Sequence, residues 1–438
     1  MSPARRAADE ALGGSDGLPE SQFASAPASA NINATSADVI VVGAGPAGSA
    51  TAAFLAKAGV NVLLLEKAAS FPRDKTCGDG ITPRAVHMLH KLGVSTEGWH
   101  ETRGLRIKST DAACEFPWPL TWETPETGYC VRREVFDETL ARHAQAAGAQ
   151  LVTNAAVTEP IINERGRITG VRTRDGREFS APVVVSAEGV ASKLAPAMGL
   201  DRKPNAISGV AMRAYYTSPK TDDDHIELHL GFSGSAPGYG WVFPLGNGTV
   251  NVGAGLLSTA CGKTDYRHLF DEFVASLPAE YGINESTRAS DIKGAMLPMA
   301  LDRPSVYRNG LLLVGDAAGC VNPFNGEGID YALESAELAA SAIVEAKARS
   351  LGTISAERAL FGYRYALNDS LRGYYRLGII FAHLVGNPHV MRLCMKYGLP
   401  RPRLMRMVNK LLGNLGERTG ADVDGRVIAA LSKFAGQL

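Results

Sequence analysis

Residues 38–66 hold the feature that most constrains this chain. Val39-Ile-Val-Val42 is a short β-branched run and reads as a buried strand. Gly43-Ala-Gly-Pro-Ala-Gly48 follows at once, then the Ala- and Leu-rich stretch Ser49–Ala58, a helix that Gly59 can close. Asn61–Leu65 reads as a second strand and ends in Glu66. Gly43 makes the tight exit from the strand, Gly45 lets backbone approach a pyrophosphate, and Gly48 lets helix and strand pack closely. Pro46 and Ala47 lie in this turn and Ser49 opens the helix, whose N-terminus faces phosphate charge, so all three stand where a cofactor would bind. Glu66 stands 18 residues after Gly48, placed to accept hydrogen bonds from a ribose, with Lys67 beside it. A lone Gly-x-Gly-x-x-Gly also suits a merely structural turn. Here strand, helix, second strand and acid fall in order, which points to a dinucleotide.

The far end of the chain specifies FAD. Leu311–Val314 reads as another buried strand, running into Gly315-Asp316 and then Asn322-Pro-Phe-Asn-Gly-Glu-Gly328. An aspartate there can hold ribityl hydroxyls. The long helix Ile329–Ala348 aims its positive end, Gly328 and Ile329, at the flavin's pyrimidine edge, which gains negative charge on reduction. Between these ends, Glu134–Ala147 reads as a helix. Leu151–Val157, Ile168–Arg174 and Val183–Ser186 read as a β-meander, with turns at Arg165-Gly166 and Asp175-Gly176. Residues Ile207–Leu256 are β-rich, with turns at Ser233-Gly234 and Gly246-Asn-Gly248, and beyond Ser355 the chain reads as all-helical.

Composition removes several classes. At 438 residues, 45% apolar and 21% charged, the chain can bury a large core and is not disordered as a whole. Forty-five basic residues balance 45 acidic ones, which argues against a nucleic-acid partner. The six cysteines (Cys77, Cys114, Cys130, Cys261, Cys320, Cys394) form no Cys-x-x-Cys pair, so neither a disulfide framework nor a metal site is expected, and a reducing compartment fits. The uncharged runs Val39–Ala56 and Leu228–Gly262 are broken by Gly, Pro or Ser, so no transmembrane helix is expected. Met1–Ser36 reads as a solvated tail.

With these pieces in place, the chain resembles the geranylgeranyl reductase family of flavoproteins, within the para-hydroxybenzoate hydroxylase-like superfamily. The resemblance spans Asp38 to about Ala348. It rests on Val41-Val-Gly-Ala-Gly-Pro-Ala-Gly-Ser49, on Phe71-Pro-Arg-Asp-Lys-Thr-Cys-Gly-Asp-Gly80 with Thr82-Pro-Arg84, and on Arg133-Glu-Val-Phe-Asp137. Gly238-Tyr-Gly-Trp-Val-Phe-Pro244, Gly315-Asp-Ala-Ala-Gly319 and Asn322–Gly328 complete it. Within the family the chain is most similar to the actinobacterial members that saturate one isoprene unit of the menaquinone tail.

The resemblance implies an α/β fold: a Rossmann-like FAD-binding domain with an inserted antiparallel β-sheet substrate domain and a C-terminal helical region. The expected division is a tail at 1–36, FAD-binding segments at 37–104, 128–200 and 290–350, an isoprenoid domain at 105–127 and 201–289, and helices at 351–438. It also implies that the loop Cys77, Gly78, Asp79, Gly80 lies over the flavin, with Cys77 facing substrate, and that Arg133 and Val157 touch the cofactor. Tyr239, Trp241 and Phe243 would line the isoprenoid pocket, Tyr239 and Trp241 acting with Cys77 in catalysis. Reducing an isolated alkene takes a hydride at one carbon and a proton at the other. Cys77 is either the proton donor or a small residue packed beneath a ring. The aromatic segment likewise reads either as pocket wall, able to stabilise positive charge, or as plain core strand.

Two departures stand out. The superfamily's Asp-Gly after the meander is Glu188-Gly189 here, which bears on nicotinamide handling. The halogenases' Trp-x-Trp-x-Ile-Pro is replaced by Tyr239-Gly-Trp241-Val-Phe243-Pro244, which argues against halogenation. Gly253-Ala-Gly255 lacks a third glycine and reads as sheet, so electrons come from transiently docked NAD(P)H or from a redox protein. The alternatives to menaquinone-tail reduction are reduction of another polyprenyl lipid, aromatic hydroxylation, and non-catalytic isoprenoid binding.

Between Leu371 and Arg418 stand Arg372, Arg376, Arg392, Lys396, Arg401, Arg403, Arg406, Lys410 and Arg418, against Glu417 alone. Leu377–Val385 and Leu404–Leu412 are interleaved with them. This pattern suits a helix on an anionic membrane surface, and equally a helical cap with a solvated basic face. A substrate that lives in the bilayer favours the first reading: a cytoplasmic protein held peripherally at the inner face of the cell membrane.

Overall fold

The computed structural model describes residues 35–437 apart from 110–112, 120–123, 233–237, 258–264, 386, 399–400 and 416–422. Most of the tail, the Ser233-Gly234 turn, Cys261 and Arg418 therefore lie outside the described residues. In chain order the first elements are β1 (Val39–Val42), α1 (Pro46–Lys57), β2 (Val62–Leu65), β3 (Gly80–Ile81), α2 (Pro83–Leu92), β4 (His100–Thr102), β5 (Gly104–Lys108), β6 (Ala113–Pro117), β7 (Gly128–Cys130) and α3 (Arg133–Ala146). Then come β8 (Gln150–Val152), β9 (Val157–Ile162), β10 (Ile168–Thr173), β11 (Glu178–Ser180) and β12 (Val183–Ser186).

The short α4 (Leu194–Ala197) leads to β13 (Ser208–Thr217), β14 (His225–Leu230), β15 (Gly238–Pro244), β16 (Thr249–Leu257), α5 (Tyr266–Ser276) and β17 (Lys293–Pro298). β18 (Tyr307–Arg308) and β19 (Leu311–Leu313) close the strands. The helices α6 (Ile329–Ala348), α7 (Ile354–Val385), α8 (Pro388–Leu393), α9 (Pro402–Leu412) and α10 (Val423–Gln437) end the chain, with a π-helical turn at Cys394–Gly398.

The six-stranded sheet runs β18-β19-β12-β1-β2-β8, parallel except for the β18/β19 pair. Its central strands are buried on both faces, which is why they read as unbroken Val and Leu runs and not as alternations. β9–β11 form a three-stranded antiparallel meander, and β3, β7 and β4 a small sheet. The large sheet is β17-β13-β16-β15-β14-β5-β6, antiparallel but for β14/β5.

Several expectations shift. Leu151–Val157 is two strands, because Asn154 turns the chain at φ +52°: β8 joins the parallel sheet and β9 the meander. Val183–Ser186 is not part of the meander but pairs with β1 in the core sheet. β17 lies past residue 289 yet pairs with β13, so the inserted sheet extends into the segment expected to bind FAD. Thr35 and Ala37 bond to Ser180, so the last two residues of the expected tail belong to the fold. The expected C-terminal helical region begins inside the main core. Leu360, Tyr363, Leu367 and Leu371 of α7 sit in the main core, and Tyr363 Oη donates to the Leu313 carbonyl at 2.7 Å.

Among the described glycines, the least room for a side chain is at Gly48, as the glycine spacing predicts. A Cβ on Gly48 would fall 1.8 Å from the Gly43 carbonyl oxygen and 3.0 Å from Ala187 Cβ. Backbone cannot yield by that much without opening the β1–α1 turn. Gly48→Ala is therefore expected to cost roughly 1–3 kcal/mol as an overpacking change. Urea denaturation, with bound flavin read in parallel, checks this.

Candidate active site

One cavity of about 1250 Å³ runs from the Gly43 turn, across the face of the large sheet, to α8 and α9. Its polar end is the β1–α1 turn. Gly43 sits at φ +100°, and Pro46 at the first turn of α1 has no amide hydrogen to lose. No side chain caps α1 and no acid stands in its first turn, so its N-terminal amides are available to an anion. Gly45, Pro46 and Ala47 line the cavity here; Gly48 and Ser49 do not, and instead pack the turn from behind. Glu66 accepts the Ala44 and Ala68 amides at 2.9 Å each, bracing the turn from its far side. A carboxylate has about four acceptor positions, so capacity remains for a ribose. Lys67 stands exposed at the rim and Val157 lines the same end.

Arg73, which motif reading left without a role, reaches this turn. Its Nη2 bonds Asp137 Oδ2 at 2.8 Å and lies 3.2 Å from where a Gly45 Cβ would be, and its Nε lies 3.6 Å from Glu66 Oε2. That buried Nε–H has no hydrogen-bond acceptor. Arg133 is less free than expected: Nε and Nη2 fork onto Asp137 at 2.8 and 3.1 Å, with the guanidinium also facing Cys77.

The far-strand motif arrives at the same place. Gly315 adopts φ +57°, and a Cβ there would meet Ala47 Cβ at 2.9 Å. Asp316, Gly328 and Ile329 thus line the cavity beside the first turn, with Gly328 at the N-terminus of α6. Glu188 turns inward. Its carboxylate accepts Ser186, Ser192 and the Lys193 and Leu194 amides, so it anchors the loop that enters α4.

The Cys77–Gly80 loop crosses the middle. Asp79 is fully buried at φ +67° and accepts from the Arg133 amide (3.2 Å), Tyr215 Oη (2.6 Å) and Asn251 Nδ2 (2.8 Å). Burial pushes its carboxyl upward, against these bonds and the guanidiniums of Arg213 and Arg133. Asn251 also holds the Cys77 carbonyl and takes Trp241 Nε1–H at 2.9 Å. Trp241 and Phe243 press on the loop: Cβ atoms on Gly78 and Gly80 would stand 3.3 and 3.1 Å from the Phe243 ring. Gly253 is glycine because a Cβ would strike Trp241 at 2.0 Å. Tyr239 Oη donates to the Asn325 carbonyl, and burial raises its phenol. Gly78, Gly80 and the three aromatics face one space. From there on the lining is Leu105, Ile107, Leu228, Met296, Leu297 and Met299, an apolar tunnel.

The uncapped glycine turn, the Arg73 Nε–H that lacks a hydrogen-bond acceptor, and Asp316 beside a second helix N-terminus fit FAD. This is a flavoprotein: residues 36–366 match the FAD binding domain model, and the chain belongs to that family. It belongs, more narrowly, with the menaquinone and geranylgeranyl reductases. It is 37% identical over 407 residues to the menaquinone reductase of Mycolicibacterium smegmatis, covering 90% of this chain and 95% of that one. It is 32% identical to digeranylgeranylglycerophospholipid reductase 1 of Methanosphaera stadtmanae over 70% of this chain and 76% of that one. The fold matches a geranylgeranyl bacteriochlorophyll reductase-like structure from Thermoplasma acidophilum with a TM-score of 0.70, at 22% identity, covering 86% of this chain and 99% of that one. The brominase Bmp2 shares the fold too, with a TM-score of 0.69 at 20% identity, covering 92% of this chain and all of that one.

Arg73→Ala should weaken FAD binding about 10- to 100-fold, the worth of roughly 1.5–3 kcal/mol for a hydrogen bond to a charged group. Fluorescence titration of the flavin-free protein measures it; an unchanged Kd would remove Arg73 from the site.

Proposed function

We propose that this chain is an FAD-dependent reductase of isoprenoid C=C bonds, and that its substrate is one isoprene unit of the menaquinone tail. The observation that carries this reading is the continuity of the cavity from a dinucleotide turn into a long tunnel of Leu, Ile and Met side chains. Bound, reduced FAD supplies the hydride. The residues do the rest. Trp241, fixed by Asn251, and Phe243 give the tunnel rigid flat walls where the loop Cys77–Gly80 passes. Flat aromatic faces stabilise positive charge developing on an alkene carbon, and an apolar lining excludes water from the reducing site. Reduction of another polyprenyl lipid is the second reading, favoured by the relationship to digeranylgeranylglycerophospholipid reductases.

Photoreducing the purified protein and adding menaquinone without air tests the reading. The expected result is flavin reoxidation with a mass gain of two hydrogens in the tail. Faster turnover of a digeranylgeranyl lipid would move the substrate to the second reading, and hydroxylated product formed in air would overturn both.

The same reading places the far end of the tunnel at a membrane. No described helix is long and apolar enough to cross one. Leu393, Cys394, Tyr397, Arg401 and Leu404 line the cavity's end, and Leu384, Leu393, Tyr397 and Leu404 are also among the exposed large apolar residues. Lys396, Arg401, Arg403 and Arg406 are exposed around them. Apolar residues rimmed by cations suit an anionic leaflet. Arg376 is an exception, since its Nη1 holds the Gly436 carbonyl at 2.9 Å. Arg403→Ala and Arg406→Ala should each weaken partition onto anionic liposomes about fivefold, from about 1 kcal/mol per basic residue. Binding that is equal on neutral and anionic liposomes would refute the attachment.

A further inference from the structure

Glu327, half-buried where it lines the tunnel wall, takes no part in the cofactor turn or the aromatic wall. Glu327 is the last acid before α6, in the loop Asn322–Gly328. That loop is closed on itself by Asn322 N–H to the Glu327 carbonyl (2.8 Å), Gly326 N–H to the Asn322 carbonyl (2.9 Å) and Glu327 N–H to Asn325 Oδ1 (3.0 Å). The loop is pinned from outside as well, because Asn322 Nδ2 donates to the Leu412 carbonyl at 3.0 Å. The Glu327 side chain is therefore held in a fixed place. It lines the cavity together with Cys77 and Tyr239.

Its partners are neutral. Glu327 Oε1 bonds the Thr82 hydroxyl, and Oε2 lies 3.4 Å from Asn325 Nδ2. The nearby cation, Arg84 of α2, is committed elsewhere: its Nε sits 3.2 Å from Asp330 Oδ2 and its Nη2 bonds Glu334. One guanidinium thus faces three carboxyls, Glu327, Asp330 and Glu334. Among the described residues, the other titratable groups facing Glu327 are the Tyr239 phenol from β15, the Tyr374 phenol from α7 and Cys77 from the loop. None of these is a cation. One guanidinium cannot neutralise three carboxyls packed around it, so the cluster retains protons that an isolated carboxylate would lose. Desolvation in this pocket raises Glu327 above the usual carboxylate range, outweighing its bonds to Thr82 and Asn325 and the shared charge of Arg84.

We propose that Glu327 is the acid that protonates the alkene. This rests on the reductase reading above. The Glu327 O–H bond breaks and its proton forms a C–H bond with the π pair at one alkene carbon. The other carbon, left electron-deficient, receives the hydride pair from two-electron-reduced flavin. Glu327 remains as carboxylate and regains a proton from water once product leaves, so each turnover consumes one hydride and one solvent proton.

The first test reads the proton itself. Infrared spectra of the holoprotein at pH 7, wild type minus Glu327→Gln, should show a protonated-carboxyl band that shifts in D2O. No such band would overturn the proposal. The second test reads chemistry. Glu327→Gln should keep FAD and its melting temperature but lose about 100-fold or more in single-turnover reduction, the lower end for general-acid catalysis. Glu327→Asp should recover part of it. Because the acid must be protonated, the wild-type rate should fall as pH rises through the Glu327 titration, and the Gln variant's residual rate should not. Wild-type reduction with Glu327→Gln equally fast would sink this proposal alone, whereas no reduction by wild type would sink the reductase reading with it.

Discussion

The structure depends on one buried carboxylate. Asp79 gathers three hydrogen bonds from three elements distant in sequence: the Arg133 amide at the start of α3, Tyr215 on β13 and Asn251 on β16. The first belongs to the dinucleotide-binding half and the other two to the large sheet. A single side chain therefore ties both halves to the loop that crosses the cavity. Asp and Asn tolerate positive φ better than other residues with a side chain, which suits φ +67° at this position. Apolar packing could hold two domains together, but it could not fix a loop at defined height above a sheet. Directional bonds to a buried acceptor can, at the cost of desolvating it.

The aromatic wall follows from that anchor. Asn251 donates to Asp79 and to the Cys77 carbonyl, and its own oxygen orients the Trp241 indole. Gly253, directly across on β16, supplies the room that the indole ring fills. Loop height, indole orientation and ring position are thus set by one hydrogen-bond chain and one missing Cβ. The polar half of the cavity is built differently. There the groups are backbone amides and guanidiniums already paired with Glu66 and Asp137, so little has to move when an anion arrives.

What the sequence made legible is what local spacing determines. The Gly43–Gly48 turn, the strand before it and Glu66 after it are one contiguous unit, and each residue's role follows from its neighbours. Gly315-Asp316 was legible because it ends a buried strand at a helix approach. The partners of Asp79 were not, since Tyr215 and Asn251 lie 136 and 172 residues away and look like ordinary strand positions. Arg73 and Glu327 were hidden for the same reason: each stands inside a recognisable motif, but its contacts come from other segments. The meander was overextended because Val183–Ser186 and Leu151–Val157 have the composition of any strand; pairing, which period alone does not reveal, divides them.

The C-terminal helices show why cavity wall and surface have to be the same residues. Moving an isoprenoid tail into water costs about 0.8 kcal/mol per carbon, so about 4 kcal/mol for each five-carbon unit. A tail of several units could not reach an apolar tunnel by crossing solvent. Under the proposed membrane attachment, the entrance would be lined by groups that the bilayer also touches. Leu393, Tyr397 and Leu404 meet that requirement, since each lines the tunnel's end and is exposed outside. Arg401 lines it as well and is exposed, placing a cation where headgroup would give way to tail. A basic apolar helix built only to bind membrane could sit anywhere on the surface. One that also closes the tunnel beside Leu105, Ile107 and Phe116 through Met405 cannot. The neutral charge of the whole chain conceals a local excess, because Lys396, Arg401, Arg403 and Arg406 are all exposed around this end of the cavity.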